Sequence, residues 1–341
     1  MTKNIKLNKK IYFSYANTCL GLVNFSESIF NSQKFDKIYI VKGVFTQNFI
    51  SKISKKYMCE YFINPINPEK TDGIIVEKTA VIDGSLFSFR DDSLFPAFFI
   101  NLGEFCDEAR LNQSREKIFE ISEKRREFYN YSQKFLKSAN ELVEYLLDLS
   151  LRYLDEKKLT SAADRIISKC ASANNSIKDE YRFINSTGSS ELDTFENDAR
   201  KIFYVSNGKN DNFTGFHFMR YISEKLKGSR IICPDALNPK RIRAVYLKDD
   251  NILFALQEKS EKNYDEKYNY INMERFVGED FKKDHKQKLK FIKKLYDSLM
   301  AEAADCFGNI KNSDAELEKI YALAANSEAQ QNFTADFIKK F

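Results

Sequence analysis

Ile38-Tyr39-Ile40-Val41-Lys42-Gly43-Val44-Phe45-Thr46-Gln47-Asn48-Phe49-Ile50 decides the fold class of this chain of 341 residues. Four β-branched or aromatic residues in a row read as a buried strand. Gly43 interrupts them, and Phe49, Ile50, Ile53 and Tyr57 follow at the spacing of one apolar helix face. Strand, glycine and helix in that order begin a βαβ unit. Two more strand signals follow, around Tyr61 to Ile63 and across Gly73 to Asp83, with a loop containing Asn67-Pro68 between them.

The same order recurs downstream. Ile202 to Val205 reads as a strand, Gly208 opens a loop, and Phe218, Met219, Ile222 and Leu226 mark a helix. Strands then come around Arg230 to Cys233 and from Ala244 to Ala255. Asn67-Pro68 falls on Asn238-Pro239 at an offset of 171, and the same offset joins Asn101 to Asn272, Phe105 to Phe276 and Glu108 to Glu279. Upstream the offset is 165 at Gly43 and Gly208, and 169 at Phe49 and Phe218, so the second copy carries small insertions. Four of the five prolines lie in this repeated element, too many for coincidence.

Each copy runs into a long segment that reads as helix. From Glu104 to about Lys158 there is neither Pro nor Gly, and Ile118, Ile121, Phe128, Phe135, Ala139, Leu142 and Leu146 recur near three- and four-residue spacing. Leu289, Ile292, Tyr296, Leu299 and Ala303 repeat that stripe. The plain reading is packing surface; the alternative is a docking face for a partner helix. The Ser- and Asn-rich stretch Ser168 to Glu196 reads as the linker.

Composition narrows the classes further. With 43% hydrophobic and 30% charged residues the chain can bury a core, and with only 11 Gly and 5 Pro it is neither fibrous nor a turn-rich all-β protein. The net charge of +5 comes from lysines dispersed among acids, which argues against a nucleic-acid surface. The Lys-rich stretch from Lys282 to Lys294 reads as a solvated helix face. Two histidines and six scattered cysteines without C-x-x-C leave little material for a zinc site or a Ser-His-Asp triad. Free thiols, no signal-peptide core and no apolar stretch near 20 residues imply a cytoplasmic protein with no membrane association.

A strand-Gly-helix junction is the setting of the phosphate loop G-x-x-x-x-G-K-[ST], where backbone N–H groups and Lys hold phosphates and a hydroxyl holds Mg²⁺. Aligned on that pattern, Gly43 opens the loop, Asn48 replaces the second Gly, Phe49 the Lys and Ile50 the hydroxyl residue. In the second copy Gly208 opens a longer loop, and His217, Phe218 and Met219 occupy the three places. Ala80-Val81-Ile82-Asp83 is a hydrophobic strand ending in a carboxylate, so Asp83 is a candidate for holding Mg²⁺, or else simply begins an Asp-Gly turn. The ungapped offset puts Phe254 at its place in the second copy.

These features resemble a bacterial family of tandem-repeat P-loop ATPase-like proteins. The likeness rests on Tyr12-Phe13 to Asn17-Thr18, Ile40-Val41-Lys42-Gly43, Thr71-Asp72-Gly73-Ile74-Ile75, Ala80-Val81-Ile82-Asp83-Gly84 and Ile100-Asn101-Leu102-Gly103-Glu104. The resemblance implies an α/β protein of two tandem P-loop NTPase-like, three-layer domains with parallel sheets, residues 1–165 and 166–341, each followed by a helical arm. Family members carry an intact G-x-x-G-x-G-K-[ST] in each half, and both halves here depart from it.

The expected function is therefore that of a P-loop-related protein that has lost hydrolysis and acts as a binding or scaffold protein, with a protein partner on its helical arms. One alternative is an ATP- and Mg²⁺-binding ATPase or kinase-like enzyme whose missing Lys is replaced by Lys42, Lys52 or Lys209. The other is nucleic-acid binding.

Overall fold

The computed structural model describes residues 10–31, 33–86, 97–170, 177–187, 194–206, 213–257 and 266–341. The first half contains β1 (Lys10–Tyr12), the hairpin β2 (Tyr15–Thr18) and β3 (Gly21–Asn24), α1 (Ser26–Ile29), β4 (Lys37–Lys42), α2 (Thr46–Ser54), β5 (Glu60–Ile63), β6 (Thr71–Val76), β7 (Thr79–Asp83) and β8 (Ala97–Asn101). Helices α3 (Glu108–Gln113), α4 (Arg115–Leu151) and α5 (Glu156–Cys170) follow. The second half continues with β9 (Ile177–Tyr181), β10 (Lys201–Ser206), α6 (Gly215–Lys225), β11 (Gly228–Pro234), β12 (Ile242–Leu247), β13 (Ile252–Gln257), β14 (Tyr268–Asn272), α7 (Glu279–Ala324) and α8 (Ser327–Lys340).

Two six-stranded sheets form, with orders β1-β5-β6-β7-β4-β8 and β9-β11-β12-β13-β10-β14. Strand for strand the order is the same. The sheets are mixed rather than all parallel. The outer pairings are parallel, but β6 runs antiparallel to both β5 and β7, and β12 to both β11 and β13. The cause is local: β6 and β7 are joined by the two-residue turn Glu77-Lys78, too short for the crossover that parallel strands need.

The register matches as closely as the order. Asn64 N donates to Lys70 O at 3.0 Å and Asp235 N to Arg241 O at 2.9 Å, 171 positions on. Asn101 caps the following 3₁₀ turn by accepting from Gly103 N at 3.0 Å, and Asn272 accepts from Glu274 N at the same distance. Both β5–β6 and β11–β12 carry a bulge at the corresponding step, Phe62/Ile63 and Cys233/Pro234. The offset is not ungapped, however. The β12–β13 connection spans residues 248–251 between Leu247 and Ile252, two longer than its counterpart. Val41 pairs with Asp83 and Val205 with Leu256, so Leu256 and not Phe254 stands at the place of Asp83.

The sheets do not form separate three-layer sandwiches. Period-2 alternation sends Ile38 and Ile40 to one face of the first sheet, and Tyr39 and Val41 to the other. The inner faces of both sheets share one apolar cluster, in which Ile38, Ile40, Phe62 and Ile82 join Ile202, Ile231, Ala244 and Leu253. Among the described residues the longer helices cover the outer faces, while the single turn of α1 puts Ile29 into the inner cluster. At the seam, Phe13 and Phe183 exchange both backbone hydrogen bonds at 2.9 Å, which ties the halves together at one point.

The helical arms cross between the halves. α4 and α7 run antiparallel along each other, as the Arg125–Asp314 ion pair at 2.7 Å and the Lys288–Tyr145 hydrogen bond at 3.1 Å mark out. At 37 and 46 residues they extend about 55 and 70 Å. Each then delivers its terminal helix to the opposite sheet. α5 packs on α6, and α8 on α2. The backbone bonds that seat them correspond pairwise: Asp155 N to Phe276 O at 2.8 Å with Asn326 N to Phe105 O at 2.7 Å, and Gly278 N to Tyr153 O at 3.1 Å with Asp107 N to Ala324 O at 2.8 Å. The apolar stripes read from the sequence are thus packing surface: Leu136, Ala139, Val143 and Leu147 of α4 share a core with Ala303, Phe307 and Ile310 of α7. The expected boundary at 165 and 166 falls inside α5, a helix that covers the second sheet.

Candidate functional site

Ligands of open α/β sheets bind beyond the carboxyl ends of the strands. At that edge of the first sheet, β4 runs into α2 through only Gly43, Val44 and Phe45. Gly43 adopts φ +104° and Phe45 φ 61°, and a methyl added to Gly43 would lie 2.4 Å from Gly103 N. The turn is closed down onto the backbone that follows β8. A connection this short has too few N–H groups to wrap two phosphates, so the residues present do not fit a triphosphate.

The spacing-based alignment therefore misplaced the loop. α2 begins at Thr46, which puts Asn48, Phe49 and Ile50 inside the helix. Asn48 is exposed. Phe49 and Ile50 are core residues, and the Phe49 ring packs on Phe333 and Phe337 of α8, at centroid distances of 6.1 and 5.3 Å. Phe49 thus holds the exchanged arm. In the second half, His217, Phe218 and Met219 likewise lie in the first turns of α6. Phe218 and Met219 are buried, and His217 Nε2 lies 3.1 Å from Ser150 Oγ, with burial pushing its pKa down. Gly208 and Lys209 lie outside the described residues.

The first residue of α2 supplies a hydroxyl the alignment does not mark. Thr46 Oγ1 donates to Asp83 Oδ2 at 2.7 Å, and Asp83 Oδ1 accepts from Ser85 N at 2.9 Å. Asp83 therefore has both partners a strand-end turn requires. Beside it lies a second buried carboxylate the sequence reading passed over. Asp72 sits on the β6 bulge, accepting from Tyr15 Oη at 3.0 Å and from Gln47 Nε2 at 2.9 Å, with Asn64 Nδ2 at 3.4 Å. Burial, and then the charge of Asp83, push its pKa up to about 7, while those three hydrogen bonds pull the other way.

The corresponding edge of the second sheet is built differently. Arg243 occupies the β12 bulge, where Asp72 sits in the first half. Arg241 and Arg243 are 8% and 5% exposed and flank Asp235, at 3.4 and 3.5 Å. Arg241 also reaches Glu144 of α4 at 3.2 Å, and its Nε has no hydrogen-bond partner. Asp235, Arg241 and Arg243 line a cleft of about 460 Å³, whose opposite wall is the apolar side of α4 and α7, with Val143, Leu146, Ile292, Tyr296 and Met300. Phe213 and Phe216 stand between. The volume falls in the range of small-molecule sites.

Of the other sequence-marked groups, Lys293 borders the cleft at the second edge. Lys283 and Lys293 face Asp280 and Asp297 of their own helix at 4.0 and 3.3 Å, as a solvated face does. Among the described residues no cluster of His, Cys, Asp and Glu could hold a metal ion, and no helix is long and apolar enough to cross a membrane.

Comparison with protein families, with curated proteins and with solved structures found no match.

The second edge was partly visible in the sequence. Thr71-Asp72-Gly73-Ile74-Ile75 lies on Ile242-Arg243-Ala244-Val245-Tyr246 at the offset of 171. A charge reversal within two otherwise apolar strands is a signal that the strand ends differ in ligand chemistry.

Proposed function

We propose that this chain is a duplicated, P-loop-related α/β protein that no longer hydrolyses nucleoside triphosphates and works by binding. The observation that carries the reading is the Gly43 turn, three residues long and seated on Gly103, at the junction where a phosphate loop would be. The paired strand orders and the repeated hydrogen bonds support descent from one duplicated unit. Once the loop is gone, the Thr46–Asp83 contact is a strut between α2 and β7. A nucleotide would gain no charge-assisted contact there, each worth about 1.5–3 kcal/mol.

The scaffold reading draws on the exchanged arms. α4 and α7 spend their apolar stripes on each other and on the second sheet, which makes the two halves one body held by crossing helices. Partners on the outer faces of the arms, where Phe119, Phe291 and Leu295 are exposed, remain part of this proposal. An ATP-binding enzyme with a relocated lysine has less behind it: Lys42 is at the exposed end of β4, and Lys52 is on α2.

Phosphate release from MgATP and MgGTP by the full chain tests the proposal. The expected rate equals that of the Asp83→Asn chain. A rate above that background would overturn it.

A further inference from the structure

We propose that α7 and α8 form a two-state joint, bent as seen here or straightened into one helix that seats α8 on the first sheet of a second copy of this chain. Local sequence and tertiary structure disagree at the joint. The stretch Tyr321-Ala322-Leu323-Ala324-Ala325-Asn326-Ser327-Glu328-Ala329 holds neither Gly nor Pro, and Ala is the strongest helix former. Yet Ala325 is extended, at φ −83° and ψ 136°, and Asn326 also leaves the helical region, at φ −81° and ψ 87°. What holds the bend is mostly tertiary. Asn326 N donates to Phe105 O at 2.7 Å and Asp107 N to Ala324 O at 2.8 Å, which clamps the joint as a bridge against the chain that follows β8. The local device is the Asn326 side chain, which caps α8 by accepting from Ala329 N at 3.1 Å. A helix interrupted by distant contacts against its own propensity is an element with two arrangements.

The seat of α8 is separable from the rest of the fold. Phe333, Phe337 and Phe341, four residues apart, present one stripe to the rings of Tyr39, Phe49, Tyr57 and Phe105. Two side-chain hydrogen bonds add to it, from Tyr57 Oη to Ile338 O at 3.0 Å and from Gln330 Nε2 to Val44 O at 3.3 Å. Thr334 is the one fully buried side chain of α8, whereas its counterpart α5 buries Leu159, Ala163 and Cys170 and is reached through a longer connection, residues 152–155. Straightening the joint lays bare both the Phe stripe and its aromatic seat, and what matches each is the other on a second copy. Every ring contact and both side-chain bonds then form again between chains. Each chain gives up the Asn326 bonds to Phe105 and Ala329 and gains an unbroken helical ladder across the joint. Reciprocal exchange closes a twofold dimer with no seat left open. Any other helix would have to reproduce the three-ring stripe to compete.

Light scattering on the full chain as it leaves a gel-filtration column, over a dilution series up to millimolar protein, tests this. Asn326→Ala removes a cap that serves the bent form alone. Its dimer is expected to be at least tenfold tighter than that of the unaltered chain, since two competing monomers each lose a cap. Ser327→Pro suits the first position of α8, because Asn326 before it already lies outside the helical region, but it breaks a continuous helix. That chain is expected to stay monomeric at every concentration, with or without Asn326→Ala. Hydrogen exchange reads the joint itself: the amides of Ser327 and Glu328, in the first turn of α8, are expected to exchange at least tenfold more slowly in the dimer, where the fused ladder takes them up. A dimer constant unchanged by Asn326→Ala, an Asn326→Ala dimer that survives Ser327→Pro, or a dimer whose Ser327 and Glu328 amides exchange as in the monomer would each overturn the proposal. Should Asn326→Ala fail to fold, the unaltered chain decides: it is expected to dimerise at millimolar protein where Ser327→Pro does not, and equal behaviour of the two would overturn the proposal.

Discussion

The strand ends of the two sheets occupy the same place in the same topology, yet one is closed and acidic and the other open and basic. At the first, Asp72 and Asp83 are buried within hydrogen-bond reach of Tyr15, Gln47 and Thr46, and the Gly43 turn closes down beside them. At the second, Arg243 replaces Asp72, Leu256 stands where Asp83 would be, and a cleft of about 460 Å³ opens against the arms. The lesson is that one bulge position, used twice, sets the character of each edge. A bulge turns its extra residue out of the ladder, so a charge there becomes the group the edge presents.

Three substitutions would break or sharpen that contrast. The largest effect belongs to Asp72. Its pKa of about 7 in the folded protein lies above the ordinary 3.8, so the folded chain holds a proton that the unfolded chain releases. That contribution is complete below pH 4 and falls by about 1.4 kcal/mol per pH unit until pH 7, about 4 kcal/mol in all. Urea unfolding across this range is expected to show the decline, and Asp72→Asn to flatten it. An unchanged slope in Asp72→Asn would mean the acidic edge is not buried as described.

Next comes Gly43→Ala. The added methyl would meet Gly103 N at 2.4 Å with φ at +104°, and clash and backbone strain together cost about 3 kcal/mol. A midpoint shift much smaller than that would show the turn to be loose, and the closed edge less closed than its packing implies.

The smallest effect is that of Thr46→Val. It keeps the volume, removes the 2.7 Å bond to Asp83 and leaves that carboxylate with Ser85 N, at a cost of about 2 kcal/mol in the same assay. Since Leu256 has no such partner to lose, the edges should differ in their tolerance of substitution at this step.

Much of the fold was legible before any coordinates. The β4–Gly43–α2 junction and the Asn-Pro loops were marked by local residue types, and the offset joined Asn101 to Asn272; the structure carries the Asn-Pro turn and the Asn cap in both halves, while Gly208 lies outside the described residues. The site was less legible. Matching Gly43 to Ile50 against a full-length phosphate loop placed Phe49 over a phosphate, whereas α2 starts four residues before Ile50, at Thr46, and buries Phe49 under α8. Spacing alone does not reveal that only three residues join β4 to α2. The two-residue extension at 248–251 shifted Phe254 away from the place of Asp83 for the same reason. The charge reversal at Asp72 and Arg243 could be read, but its meaning needed the burial of both side chains.

The sequence by itself determined the order β4, α2, β5, β6, β7 and its repeat in β10, α6, β11, β12, β13, because periodicity acts over a few residues and depends on no distant partner; β9 lies inside the stretch Ser168 to Glu196 that reads as a linker, and only its pairing with β11 makes it a strand. Only the tertiary structure decided that the sheets meet face to face, that α5 and α8 cross to the opposite half, and that one strand edge is sealed while the other lines a cleft. Those outcomes rest on contacts between residues far apart in the chain, such as Arg241 with Glu144 of α4, 97 positions away, or Phe49 with Phe337 of α8. The apolar faces were written in the chain; which face each would meet was a matter of long-range shape and burial.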